Sequence, residues 1–321
     1  MSTLQETSQR LLEKSKKKLK KSSIRRKAFQ NFNRIHGYSP NINSPTTFSE
    51  KLLYRKLQQE NWLEDQANGV DKYVVRAHIA KTVGEHHLIP LLGYLQSEDD
   101  FDYERFKPPI ILKATHGSGW NLIIRSMDDY PLEDVKALIK SWLSCNYANN
   151  FTGEAQYRYV SAGVVVEPLL TDVHGKVPID YKFHCFDRGN QIIIQTDMDR
   201  FGNHSRDFYD PHWQPIEIQL KFPRSGSVIP KPDALVHMLR VAKKLADDYD
   251  YIRVDLYSFE GKVLFGELTF VPGNACEKVY PTQWDQQLGE YWFLQGHASD
   301  KGGSCNTISN WFHSIRARLV S

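Results

Sequence analysis

Hydrophobic positions along this chain change their period several times, and each change marks an element. Residues 4–35 carry Leu11, Leu12, Leu19 and Ile24 loosely at helical spacing and predict a helix, ending at the turn-rich "HGYSPNINSPTTFSE". "SEKLLYRKLQQENW" predicts a second helix with Ser49 as N-cap, and "DKYVVRAHIAKTVG" a third closed by Gly84. "HLIPLLGYL" reads as a short buried strand with its turn. "PIILKATHGSGWNLIIR", residues 109–125, alternates as a β-hairpin does. "PLEDVKALIKSWLSCNY" returns to apolar residues three and four apart behind Pro131, a favoured first helical residue. Strands follow in "AGVVVEPLL", "DYKFHCF" and "NQIIIQTDMD", then a helix in "KPDALVHMLRVAKKLADDYD" and a second hairpin in "YIRVDLYSFEGKVLFGELTF". Hairpins alternating with single helices predict an α+β protein, not a doubly wound sheet.

Composition changes this picture little. With 321 residues, 40% apolar and 25% charged, the chain has enough apolar side chains for a substantial core. No apolar run approaches the ~20 residues of a membrane span, and the polar, basic N-terminus lacks the apolar core of a secretory signal. Cys145, Cys185, Cys276 and Cys305 are scattered, with no C-x-x-C pair, as in a protein of a reducing cytoplasm.

Charge is unevenly placed. Residues 1–30 hold ten Lys/Arg against Glu6 and Glu13, in a chain whose net charge is only +3. Two readings of that segment stay open. One is a tether to an anionic membrane surface or polyanion, which would put a cytoplasmic protein at the inner face of the membrane. The other is a solvated helix with no partner. Nucleic acid is not expected, because no aromatic platform interleaves with these lysines and the rest of the chain is acidic.

Two hairpins carry candidate chemistry. In the first, Lys113 shares a strand face with Ile111 and Thr115, inside an apolar run where an unpaired ammonium is costly. The loop that follows, His116-Gly117-Ser118-Gly119-Trp120-Asn121, leads into a strand and not a helix. That context excludes a P-loop or Rossmann turn. It leaves a glycine flap whose backbone N–H groups face an anion, or else an edge-strand lysine reaching to water. In the second hairpin, Arg253 and Asp255 alternate with Ile252, Val254 and Leu256, while Glu267 and Thr269 alternate with Leu268 and Phe270. An odd-length loop around Glu260-Gly261 would put Asp255 and Glu267 on one face. With Arg253, Thr269 and nearby Asn274 they would form an oxygen-rich site suited to Mg²⁺ carrying a nucleotide phosphate. A solvent-facing surface of ion pairs would explain the same charges.

A third stretch, "TDMDRFGNHSRDFYD", gathers Asp197, Asp199, Arg200, His204, Arg206 and Tyr209. Arg200 and Arg206 suit a bidentate grip on a carboxylate. Asp199 or His204 suits proton removal from an incoming amine. Cys276, the Asp99-Asp100 and Asp247-Asp248 pairs and His86-His87 read as packing or surface.

The order of these pieces resembles the ATP-grasp superfamily. From about "TFSEKLLYRKL" to "PTQWDQQLGEYW" it is similar to the branch named for the teichuronopeptide biosynthesis protein TupA. The markers are "LKATHGSG", "DYKFHCFDRG", "DRFGNHSRDFYD" and "RVDLY…GELTFVPG". The resemblance implies two α+β lobes whose antiparallel sheets clasp ATP. It divides the chain into a basic helical segment (1–45), a first lobe (46–108), a small lobe with the flap (109–166), a large lobe with the metal site (167–292) and a helical tail (293–321). It makes Lys72 and Lys113 phosphate-binding lysines and closes Gly117-Ser118-Gly119 over the β and γ phosphates. Glu167 becomes the acid that reads the adenine amino group, and Leu169 offers backbone to the ring. Lys182 lines the phosphate or acyl-phosphate site, Asp255 and Glu267 hold the metal, and Arg253 steadies the developing oxyanion. Thr269 departs from the asparagine of many superfamily members, and Trp120 makes the flap bulky. The implied activity is an ATP- and Mg²⁺-dependent carboxylate–amine ligase acting through an acyl phosphate, with a sugar uronate of a bacterial surface polysaccharide as carboxylate substrate. A phosphotransferase on the same cradle, or a non-catalytic nucleotide-binding partner of a glycan-assembly complex, are the alternatives.

Overall fold

The structure, a computed structural model, describes residues 23–58, 63–145, 147, 154–199 and 203–294. The first 22 residues of the basic segment, most of the expected tail and Arg200 lie outside the described residues.

Helix α1 covers 23–36 and helix α2 Phe48–Gln58. The cap of α2 is Thr47, not the expected Ser49. Thr47 Oγ1 accepts from the Glu50 N–H at 3.2 Å, and the Glu50 carboxylate accepts from the Thr47 N–H at 3.4 Å, a reciprocal capping box. Ser49 instead donates from both its N–H and its hydroxyl to Asp285, each at 2.8 Å. Helix α3 spans Leu63–Val70 and α4 Val75–Thr82. The third predicted helix therefore starts later than expected. Asp71 Oδ1 accepts from the N–H groups of Tyr73 and Val74 and turns the chain before α4 begins. Of "HLIPLLGYL", only Gly93–Leu95 is a strand, β1.

Strands β2 (Ile110–Ala114), β3 (Asn121–Ile124) and β4 (Val164–Pro168) join β1 in an antiparallel sheet of order β1-β4-β2-β3. Ile110, Leu112 and Ala114 are fully buried against α5 (Leu132–Ser144), which presents Val135, Ile139 and Trp142 from one face. The alternate residues of β2, Ile111 and Lys113, face the other way. The sheet takes β1 from before the expected small lobe, and β4 runs across the expected boundary at 166.

The second sheet has six strands in the order β11-β10-β5-β6-β7-β8. These are β5 (Asp180–Phe186), β6 (Gln191–Met198), β7 (Ser205–Tyr209), β8 (Pro215–Ile216), β10 (Tyr251–Phe259) and β11 (Lys262–Thr269). Every residue of β5 is buried, so both faces of the sheet are covered at its centre. Helix α6 (Leu235–Ala246) packs Met238, Val241 and Leu245 into the larger core with Phe183 and Cys185. Asp180, Lys182 and His184 stand on the opposite face. A short pair, β9 (Gln219–Leu220) with β12 (Val279–Tyr280), and helix α7 (Thr282–Glu290) complete the described elements.

The β10–β11 hairpin corrects one expectation. Its loop has two residues, Glu260 and Gly261, both at positive φ (49° and 73°), which fits the right-handed twist of a hairpin. With that loop alone, Phe259 pairs with Lys262 and Leu256 with Phe265. An extra residue, Gly266, then bulges and shifts the register by one, so that Asp255 pairs with Glu267 and Arg253 with Thr269. The bulge, not an odd loop, puts the two carboxylates on one face.

Candidate functional site

The two sheets face one another across a cavity of about 460 Å³, which opens into a second of about 550 Å³. Ser118, Lys221, Arg253 and Glu267 line both.

From the four-stranded sheet, Lys113 on β2 donates to Glu167 on β4 at 2.7 Å, and Arg76 of α4 reaches the other carboxylate oxygen at 3.3 Å. All three line the first cavity. Lys72 lies beside them, in the turn before α4. Its ammonium donates to the carbonyls of Ala114 and Gly117 at 2.9 Å each, tying the turn to both ends of the glycine loop. Burial lowers the Lys72 pKa, with Glu267 the largest opposing influence. Ser118 and Gly119 form the loop tip in the cavity, and Gly119 has φ +74°, which favours glycine. At Gly117 a Cβ would sit 3.0 Å from both Trp120 and Tyr147, so a side chain there would have to push those rings back by a few tenths of an ångström.

The six-stranded sheet contributes the acids. Asp255 is gripped bidentately by Arg253, at 2.7 and 2.8 Å, and by the Lys182 ammonium at 2.6 Å. Burial pushes the Asp255 carboxyl up, but the two cations outweigh it and hold its pKa at about 2. Arg253 also donates to the Thr269 hydroxyl at 2.9 Å. Glu267, opposite Asp255, makes no hydrogen bond or ion pair among the described residues. Its carboxylate therefore stands in the cavity wall uncommitted.

Among the described residues, no cluster of three or more His, Cys, Asp or Glu side chains is arranged to hold a metal ion alone. Mg²⁺ does not need one when phosphate oxygens and water complete its shell around one or two carboxylates. Asp255, held ionised, and uncommitted Glu267 fit that donor set.

Further along the same face, Arg206 on β7 grips Asp197 on β6 at 2.6 and 3.2 Å, so the carboxylate it holds belongs to the chain itself. Burial opposes ionisation of Asp197, but Arg206 prevails and holds its pKa below the usual range. His204 stacks on Phe222 with centroids 3.6 Å apart and points Nε2 at Asp197, 3.3 Å away. Lys182, His204 and Arg206 all line the first cavity. Thr269 and Asn274 line the second.

Three expected site residues lie elsewhere. His116 is buried: its Nε2–H donates to the Trp142 carbonyl at 2.7 Å and Nδ1 accepts from the Gly163 N–H. Burial lowers its pKa and favours this neutral tautomer. Leu169 spends its N–H on the Pro109 carbonyl, extending the sheet. Asp199 is an exposed turn residue that accepts from the Asn203 N–H at 2.7 Å.

Sequence reasoning missed several cavity residues. Arg76 was within reach, because it follows Lys72 by four residues, a spacing that places side chains on one side of a helical segment. Asp180 precedes Lys182 by two on one strand, and its carboxylate accepts a hydrogen bond from that ammonium at 2.5 Å. Lys221 and Glu277 had no local signal, since only the pairing of β9 with β12 brings them together.

A family model described as TupA-like ATPgrasp matches residues 50–293. No curated protein matches. Among solved structures, the chain is similar to D-alanine–D-alanine ligase from Helicobacter pylori at 14% identity. That match covers 70% of this chain and 58% of that one, with a TM-score of 0.40. It is also similar to D-alanyl-alanine synthetase A from Vibrio cholerae, at 12% identity over 80% of this chain and 67% of that one, TM-score 0.42. The ATP-grasp ligase PsnB, complexed with Mg, ADP and a phosphomimetic variant of minimal precursor, matches at 12% identity. There the coverage is 84% of this chain and 66% of that one, and the TM-score is 0.38.

Proposed function

The chain belongs to the TupA-like ATP-grasp family, and we propose that it is an ATP- and Mg²⁺-dependent carboxylate–amine ligase. One observation carries the reading. Lys113, Lys72 and the loop tip come from one sheet and its flanking turn, Asp255, Glu267 and Arg253 come from the other, and all line one cavity. A nucleotide triphosphate between them would meet cations and backbone N–H groups on one side and metal-binding carboxylates on the other. Phosphoryl transfer depends on positioning and charge neutralisation, and these groups supply both without a Ser, Cys or His nucleophile.

In this reading Asp255 and Glu267 hold Mg²⁺, which neutralises phosphate charge when bound. Lys113 and Lys72 orient the phosphates, and Ser118-Gly119 presents N–H groups to them. Arg253 stabilises negative charge developing on the substrate carboxylate as it attacks the γ-phosphorus. That attack gives an acyl phosphate and ADP; an amine then displaces phosphate and leaves an amide. His204 would accept the amine's proton, with the Asp197 carboxylate 3.3 Å behind it. The family's name points to a uronic acid of a surface polysaccharide as the carboxylate and to an amino acid or amino sugar as the amine. Among the described residues no helix is long and apolar enough to cross a membrane.

The test incubates purified protein with ATP, Mg²⁺ and a matrix of uronic acids and amines, and reads products by mass spectrometry. An amide that forms only with ATP supports the ligase. A stable phosphorylated product from a single acceptor would instead make it a phosphotransferase.

A further inference from the structure

The cations of the cleft are unequally engaged. Lys113, Lys182, Arg206 and Arg253 each touch a carboxylate at 2.6–2.7 Å, and Lys72 holds two carbonyls. Lys221 differs. Its nearest carboxylate is Glu277 at 3.7 Å, beyond hydrogen-bonding reach, and its side chain is 56% exposed. Yet it lines both cavities, at their junction.

The backbone holds Lys221 there at a cost. Its φ is +64°, and the Phe222 N–H closes a tight turn around it onto the Leu220 carbonyl at 2.7 Å. A γ-turn with positive φ at its centre is rare and strained. Three contacts fix the turn: Leu220 pairs with Val279, its carbonyl also accepts from Arg206 at 3.2 Å, and the Lys221 ammonium lies 5.1 Å from the Phe222 ring. Glycine would occupy this position without strain. A lysine held in a glycine conformation at the meeting of two cavities is placed for its ammonium.

Resting on the ligase reading above, we propose that Lys221 binds the carboxylate substrate at the cavity junction and that Glu277 is the internal carboxylate this substrate displaces. Glu277 is also 3.5 Å from Arg206, so it can lose Lys221 and keep a cation. The site therefore selects an acid: a neutral or cationic group at this position could not replace Glu277 as the counter-charge of Lys221.

Full-length wild-type, Lys221→Gly and Glu277→Gln proteins are titrated with AMP-PNP and Mg²⁺. The nucleotide-loaded proteins are then titrated with D-glucuronate, D-galacturonate, L-glutamate and acetate by calorimetry. Lys221→Gly keeps or raises the melting temperature, because glycine accepts the backbone, yet weakens the acid that binds best by about tenfold, the weight of one charge-assisted contact. Its nucleotide affinity moves less. Glu277→Gln shifts acid affinity the opposite way, a few-fold tighter, because a competing negative charge is gone; a merely structural role would weaken both variants. Unchanged acid binding in Lys221→Gly, weaker binding in Glu277→Gln, or no acid bound by loaded wild-type protein each overturns the inference. Wild-type protein that binds no nucleotide overturns the ligase reading and this inference with it.

Discussion

Glu267 stands directly opposite Asp255 across the β10–β11 ladder because Gly266 is bulged out of register between them and the hairpin turn. A Cβ on Gly266 would sit 3.1 Å from the Asp255 carbonyl oxygen and 3.0 Å from the Tyr257 ring, so the bulge is closely packed. Gly266→Ala should cost about 1–3 kcal/mol of stability and reduce ATP-dependent turnover about tenfold or more by displacing Glu267. Urea denaturation and ADP release measure the two effects. Glu267→Ala, which keeps the bulge, should lower turnover by at least about 10²-fold with an unchanged melting temperature. Normal turnover in that variant would remove Glu267 from the metal site.

Lys72 should matter to the glycine loop as much as to any ligand. Lys72→Met leaves the carbonyls of Ala114 and Gly117 without their donor, at a cost of about 1–3 kcal/mol for the buried acceptors. Hydrogen exchange over 114–120 should accelerate in the variant, and the KM for ATP should rise about tenfold. Exchange rates equal to wild type would show that the loop does not depend on this tie.

Arg206→Ala strips Asp197 of its bidentate partner and leaves a buried carboxylate underpaired. The expected loss is about 3–5 kcal/mol, read as a fall in the denaturation midpoint. Adding Asp197→Asn should recover part of it, since the orphaned charge is then gone. An Arg206→Ala protein as stable as wild type would free Arg206 for substrate binding, the role its sequence first suggests.

His184 predicts a pH dependence of stability. It is buried on β5, with Nε2 donating to the Gln195 carbonyl oxygen and Nδ1 accepting from the Tyr251 hydroxyl, both at 2.9 Å. Burial lowers its pKa to about 4. An unfolded chain binds a proton near pH 6.5 that the folded protein refuses until about pH 4. Stability should therefore be full above about pH 6.5 and fall as pH drops toward 4, by about 3 kcal/mol in total. In His184→Gln the contribution disappears and the slope of denaturation midpoint against pH flattens over that window.

Much of this was legible in the chain because strand alternation and helical spacing are local. The two hairpins, α5, α6 and β5 follow from apolar period alone, and Lys113 was conspicuous as an ammonium in an apolar run. Other features depend on what local pattern cannot carry. Thr47 caps α2 by accepting from the Glu50 N–H three residues on, where the sequence pointed to Ser49. The facing of Asp255 and Glu267 depends on a bulge, and a glycine in a strand does not announce which neighbour it shifts. Arg206 looked free because its partner, Asp197, lies on the next strand. His116 looked like part of the anion loop because its neighbours are, yet its ring turns into the core.

The loop between β2 and β3 is fastened at nearly every residue. Ala114 accepts the Lys72 ammonium and donates to the Trp120 carbonyl, His116 is fixed by Trp142 and Gly163, and Gly117 accepts from Lys72. Among the described residues the tip is tied only locally, the Gly119 carbonyl accepting from the Asn121 N–H at 3.0 Å and the Ser118 side chain meeting Tyr147, and Ser118 with Gly119 spans at most about 7 Å. A segment so short is a fingertip rather than a cover. Such a tip would touch what enters the cleft more than roof it, and the task of keeping water from a reacting phosphate would then rest on the facing sheet and on the substrates themselves.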